Sequence, residues 1–276
     1  MTIAVASYRQ LDPAVKQRFD RLLKLNPSCR RWTDGIADAD RGLAALAHAS
    51  VWADDIKRDP AYRRDKVTDP AAVLNVGYGD KIVHDYWHCI DIPFTSDEAP
   101  IRMLDMPNAL TQLRLFTKVL VSTANDEVKS SDLCWILRIV GDLYQPLHAT
   151  ARFFHELDDD RGGDDEEVIP ASGLKTRLYL YWDVRLGEDG TPEKALAAAA
   201  ALPPADGLRA AIDDPAFWLI ESFTLAQNDV YTPLIGKGTG LYLLTDAYEA
   251  RARDVLTSQA AIAAARLVGL INSSLR

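Results

Sequence analysis

Apolar positions recur every three or four residues along most of the chain, and that period predicts helices. In PAVKQRFDRLLKLNP, Val15, Phe19, Leu22 and Leu23 share one face, and Asp12-Pro13 supplies a cap and a first-turn proline. DRGLAALAHASVWADDIKRDP reads as a second helix, stopped before Pro60. PNALTQLRLFTKVLVST is a third, and SSDLCWILRIVGDLYQ, opened by a Ser/Asp cap, is a fourth. LKTRLYLYWDVRL, TPEKALAAAAALPP, DDPAFWLIESFTLAQNDVY and a long Ala-rich run from about Asp246 to Leu275 complete the pattern. Strand signals are sparse, with one short extended segment expected in RGGDDEEVIP before Pro170. The joints are short, and neither a repeat nor a low-complexity linker divides the chain. The expectation is a mainly α protein with a single domain over residues 1–276.

Composition narrows the function classes. The chain has 276 residues, 48% hydrophobic and 26% charged, ordinary values for a globular protein. No apolar run approaches the roughly 18 residues that mark a membrane span. Lys plus Arg number 31 against 40 Asp plus Glu, for a net charge of -9. That balance disfavours a broad electrostatic grip on nucleic acid, while leaving room for an enzyme that meets phosphate with bound metal. Cys29, Cys89 and Cys134 are odd in number; the latter two lie in apolar runs, and no disulfide framework is implied. MTIAVASYR lacks the charged-then-apolar pattern of a signal peptide, so the chain as written is expected in the cytoplasm. HELDDDRGGDDEEV, residues 155–168, reads as a solvated acidic loop without calcium-loop spacing.

Four stretches bear candidate chemistry. Asp54 and Asp55 follow Trp52 within a helix that has an apolar face. His84 and His88 stand one helical turn apart, near Asp85 and Asp91, and neutral imidazole with carboxylate makes a zinc site. Arg138 lies in the middle of an apolar helix, one turn before Asp142, and His148 follows after a proline turn. A buried carboxylate there must be paired, hydrogen-bonded or metal-bound. Asp183 follows Tyr181-Trp182, one turn after Tyr179. Acids and imidazoles on several apolar helices are what a bundle needs to build a metal site in its core.

VWADDI, YWHCIDIPF, IVGDLYQPLHATARF, GGD, YWD and WLIESFTLA, in that order, resemble the zinc-dependent, single-strand-specific nucleases of fungi, plants and bacteria, the S-one/P-one family. That family is related in fold to bacterial zinc-dependent phospholipase C. The resemblance covers essentially the whole chain and implies a helical bundle of that type, in which up to three clustered zinc ions hydrolyse phosphodiesters. It implies Asp54 and His88 as ligands of one zinc, with a His-x-x-x-Asp pair that here reads Arg138 and Asp142. His148 and a second such pair, here Tyr179 and Asp183, would hold another. The third zinc in the family takes an N-terminal tryptophan, a Gly-His histidine and the aspartate matching Asp142. Asp54 would be the catalytic base, and single-stranded DNA, RNA or nucleotides the substrate.

The chain departs from that pattern. Arg138 and Tyr179 replace two ligand histidines, Cys89 stands where relatives carry a base-stacking aromatic, and the Trp and Gly-His ligands do not precede Thr2. In relatives a Gly-His pair lies directly before a segment resembling MTIAVASYRQLDP, so Met1 is expected to be an internal start, and the family implies a secreted or periplasmic protein. Guanidinium has no lone pair to give zinc, but it can replace part of the metal's positive charge. Arg138 is therefore expected to pair with Asp142 at i and i+4, and the Tyr179 hydroxyl to donate to Asp183. Three functions follow: a nuclease of reduced activity holding fewer zinc ions or none, a non-catalytic relative with Arg138 in place of zinc, and a lipid phosphodiesterase.

Overall fold

The computed structural model describes residues 1–95, 104–153, 159–186, 190–236 and 239–276. Among them the helices are α1 (Thr2–Tyr8), α2 (Pro13–Leu23), α3 (Cys29–Thr33), α4 (Arg41–Ala49), α5 (Trp52–Asp55), α6 (Ala109–Leu120), α7 (Asp126–Leu143), α8 (Leu178–Val184), α9 (Pro192–Ala201), α10 (Gly207–Ala210), α11 (Pro215–Leu225) and α12 (Asp246–Ser274). The strands are short: β1 (Ile92–Thr95), β2 (Thr150–Phe153), β3 (Glu167–Ile169), β4 (Thr176–Arg177) and β5 (Leu241–Leu243). β1 pairs with β2 in parallel, while β3 runs antiparallel to β4 and parallel to β5. The architecture is mainly α, as the periodicity predicts.

α7 is the central element. Leu133, Trp135, Ile136, Ile139, Val140 and Leu143 are all buried, so the helix is enclosed on nearly every side. α2 and α6 pack against it with Phe19, Leu22, Leu113 and Phe116. A smaller second core joins Val168, Leu178, Trp182, Tyr248 and Val255.

Several boundaries differ from the sequence expectation. α7 begins at Asp126, not at the Ser130 pair, because Asn125 caps it by accepting from the Val128 amide at 2.9 Å. Its first turns are polar yet buried: Lys129 donates to the Ser122 carbonyl at 2.6 Å, Ser130 meets the Tyr78 hydroxyl at 2.8 Å, and Asn75 donates to Asp132 at 2.9 Å. The single helix expected over residues 40–60 breaks between α4 and α5, where the Ser50 hydroxyl donates to the Ala47 carbonyl at 2.7 Å. α11 runs on into a π-turn at Ala226–Val230. α1 lies outside the expected helices, as do β1 and β2, while the segment before Pro170 forms β3 as expected.

Part of the acidic stretch is not solvated. Asp160 and Glu166 are fully buried, and both meet the buried Arg152. Asp160 also accepts from the Arg152 amide at 2.9 Å and from the Tyr231 hydroxyl at 2.7 Å. Residues 154–158 of that stretch lie outside the described residues. All three cysteines are free thiols. α12 is long and apolar enough by composition to cross a membrane, but Val255, Ile262, Leu267 and Ile271 are buried within the fold, which is the pattern of a core helix.

Candidate functional site

The site forms where α5, α7 and α8 meet the turn before β2. Trp52 is buried and stands edge-on to Trp135 of α7, with centroids 6.2 Å apart, which fixes α5 against α7 and turns Asp54 toward Arg138. His88 follows a 3₁₀ turn, Asp85–Trp87, whose Trp87 also stands edge-on to Trp135 at 5.2 Å. His148 lies in the Pro146–Ala149 turn. The two imidazole segments are joined by the β1–β2 pairing, extended by the Ile90 amide donating to the His148 carbonyl at 2.9 Å. The Gly162-Gly163 pair packs on that turn. Gly162 has φ +61°, and a side chain there would meet the Leu147 carbonyl at 2.7 Å. The Gly163 carbonyl in turn accepts from the Tyr179 amide at 3.2 Å and sets the start of α8.

Arg138 is the hub. Its Nη1 lies 2.7 Å from Asp54 Oδ2, and its Nε lies 2.7 Å from Asp142 Oδ2. The second contact is a charge contact and not an aligned hydrogen bond, since Nε and Oδ2 are both buried without a hydrogen-bond partner. Asp142 Oδ2 also lies 3.0 Å from His88 Nδ1, and Oδ1 lies 3.9 Å from His148 Nε2. Burial pushes the Asp142 carboxyl up to about 6 even with Arg138 beside it. Burial also lowers both imidazoles, with the positive charge of Arg138 adding to the effect, and His88 falls to about 3. Both rings are therefore neutral near pH 7, the form that binds metal.

Two partners differ from the sequence expectation. The Tyr179 hydroxyl lies 2.8 Å from His148 Nε2, so it meets that ring in place of Asp183. Burial, with the charges of Asp183 and Asp142, raises Tyr179 and keeps it a phenol whose O–H can occupy the imidazole lone pair. Asp183 is exposed and lines a cavity of about 510 Å³ together with Asp54, Arg138 and Asp142. His84 and His88 are not neighbours on one helical face. His84 has φ +49°, stacks on Trp87 at 3.7 Å, and points its two nitrogens at Asp65 (2.8 Å) and Asp80 (3.1 Å), away from the site.

Sequence reasoning missed Lys57. Its ammonium lies 3.0 Å from Asp54 Oδ1, 3.3 Å from Asp85 Oδ1 and 3.4 Å from His88 Nε2. Its position three residues after Asp54 was the available signal. Although burial opposes them, Arg138 and Lys57 hold the Asp54 carboxyl below the usual range.

Among the described residues, one group of side chains has the composition and closeness to hold a metal ion. His88, Asp142 and His148 offer ligand atoms within 4.8 Å of one another, and His88 Nδ1 and Asp142 Oδ2 are buried polar atoms without hydrogen-bond partners. The Arg138 guanidinium lies against Asp54 and Asp142, and the Tyr179 phenol against His148.

A search of curated proteins returned no match to the chain. The family model described as S1/P1 nuclease matches residues 1–276. That full-length match agrees with the helical fold and with the convergence of Asp54, His88, Asp142 and His148 on one side of α7, and the chain belongs to the S1/P1 nuclease family.

Proposed function

We propose that this chain hydrolyses phosphodiester bonds in single-stranded DNA or RNA, at a rate below that of a complete three-zinc centre. The observation that carries this reading is the His88–Asp142–His148 group, whose ligand atoms lie within 4.8 Å of one another. Two imidazoles and a carboxylate are ligand types that a catalytic zinc site uses. A zinc ion there supplies water acidification and charge neutralisation at the phosphate. Arg138 would supply positive charge where the family places further metal, and its planar fork suits phosphate as well as carboxylate. Lys57 adds a second cation at the Asp54 side of the site. Asp54 lies at the family's catalytic-base position, and its two cations leave it a weak base.

That weakness supports a second reading, a chain that binds a phosphodiester without cleaving it. Asp54 is engaged by Arg138 at 2.7 Å and by Lys57 at 3.0 Å, which lowers its affinity for a proton. No described residue lining the pocket favours a lipid phosphodiester.

Metal content and cleavage, measured together, test both readings. Purified protein, stripped and reloaded with zinc, should hold about one ion per chain by elemental analysis and cut a single-stranded oligonucleotide in preference to a duplex. The double variant Arg138→His with Tyr179→His should hold more zinc and cut faster. A full complement of three ions in the wild type would refute the one-metal reading. One bound ion with no cleavage would select the binding-only reading.

A further inference from the structure

A second concavity, of about 750 Å³, opens beside the catalytic cavity and shares Val51 and Asp55 with it. Its wall carries Arg31 and Trp32 of α3, His48 of α4, and Arg58 from the turn after α5. The α5 helix thus presents consecutive acids to different sites: Asp54 to the catalytic cavity alone, Asp55 to the junction of the two.

Four features of this groove remain unused by the catalytic centre. The guanidinium groups of Arg31 and Arg58, both exposed, enter no ion pair with a described residue. The Trp32 indole N–H is buried without a hydrogen-bond partner, although the residue lines the groove. The His48 ring is half-buried, lies nearly parallel to the Trp32 indole at 14° and 6.1 Å, and is backed by it as a rigid flat face. Burial lowers the His48 imidazole, so the ring is neutral near pH 7 and can stack on a nucleobase.

The groove also holds acids, and they limit its charge. Asp55 is raised by burial while Arg31, His48 and Arg58 act on it in the opposite direction. Asp59 accepts from the Ala61 amide at 2.9 Å. The groove is therefore a mixed surface with two projecting guanidinium groups, set in a chain of net charge -9. A flat ring, an unfilled donor and two projecting guanidinium groups together match one nucleotide with its phosphates.

We propose that this groove binds the strand that continues from the cleaved phosphodiester, with Arg31 and Arg58 on the flanking phosphates, the Trp32 N–H donating to a strand acceptor and a base on His48. The inference rests on the reading of the catalytic cavity as a single-strand phosphodiester site. It adds a track that lengthens the contact beyond the reacting phosphate.

Binding under chelation tests the track without cleavage. The probes are fluorescently labelled oligothymidylates of two and eight nucleotides, followed by anisotropy at several salt concentrations. Wild type should bind the octamer more tightly than the dimer. The Arg31→Ala/Arg58→Ala variant should lose roughly tenfold in octamer affinity at low salt. Its log–log salt slope should fall by about 1.4, the value for two single-strand phosphate contacts. Dimer affinity and melting temperature should stay unchanged, because both arginines are exposed. Trp32→Phe, which keeps an aromatic ring and removes the donor, should weaken the octamer alone by a few-fold. An unchanged octamer affinity and salt slope in the double variant would overturn the track. So would a wild type that binds both lengths equally, with dimer binding still supporting the cavity. A wild type that binds neither length would likewise overturn the track, while cleavage by the zinc-reloaded protein decides the phosphodiester reading separately.

Discussion

Replacing Arg138 by Met tests whether its charge compensates the Asp142 carboxylate. The substitution keeps much of the side-chain volume and deletes the cation from its 2.7 Å contacts with Asp54 and Asp142. Asp54 is the lesser problem, because Lys57 remains 3.0 Å away and the carboxylate is partly exposed. Asp142 is buried, and leaving a buried charge uncompensated costs roughly 3 kcal/mol. That cost corresponds to raising the carboxyl by about two pH units, from about 6 in the wild type to about 8 in the variant. The sign follows from linkage. A carboxyl whose folded pKa lies above its ordinary 3.8 contributes stability that is fully present below that value and lost as pH rises through the folded pKa. Wild type therefore completes this loss near pH 6, whereas the variant goes on losing stability up to about pH 8. Urea unfolding of both proteins in chelator should show a deficit of roughly 3 kcal/mol at pH 8 that nearly vanishes at pH 6. At pH 8 the deficit should appear as a drop of about 6–10 °C in melting temperature. A deficit of equal size at both pH values would refute the charge-compensation argument, and no deficit at pH 8 would remove Arg138 as the hub.

Two further outcomes follow from the same geometry. Tyr179→Phe removes the hydroxyl that lies 2.8 Å from His148 Nε2, freeing a ligand lone pair. A hydrogen bond of about 1 kcal/mol gives a zinc affinity higher by roughly fivefold in calorimetric titration, and an unchanged affinity would show that the phenol does not compete with metal. Arg152→Met strands the fully buried Asp160 and Glu166. It should cost about 3–5 kcal/mol in denaturant unfolding while zinc content stays at the wild-type value, and a loss below about 1 kcal/mol would contradict the buried network.

Local periodicity determined the elements whose reason is local. The face of Val15, Phe19, Leu22 and Leu23 is a property of helical spacing, and all four are buried where that spacing puts them. The Arg138–Asp142 contact was legible for the same reason, since residues four apart on a helix meet whatever the rest of the fold does. The start of α7 was not legible. Its first turns carry Lys129, Ser130 and Asp132, polar residues buried only because Ser122, Tyr78 and Asn75 arrive from elsewhere to bond them. The two histidines spaced like helix neighbours part company because His84 takes a left-handed backbone conformation and is held between Asp65 and Asp80. Tyr179 meets His148, not the nearer Asp183, because the close approach of Gly162 to the Leu147 carbonyl brings α8 against the turn before β2. Which carboxylate, imidazole or phenol occupies a shared lone pair depends on contacts across 31 or more residues of chain, as in the Tyr179–His148 and Lys57–His88 pairs. Sequence supplied the chemical types and their helical phase. Only the packing of α5 and α8 on α7, with the β1–β2 pairing, decided which of them meet, because a hydrogen bond or ion pair depends on ångström-scale separation and not on sequence order.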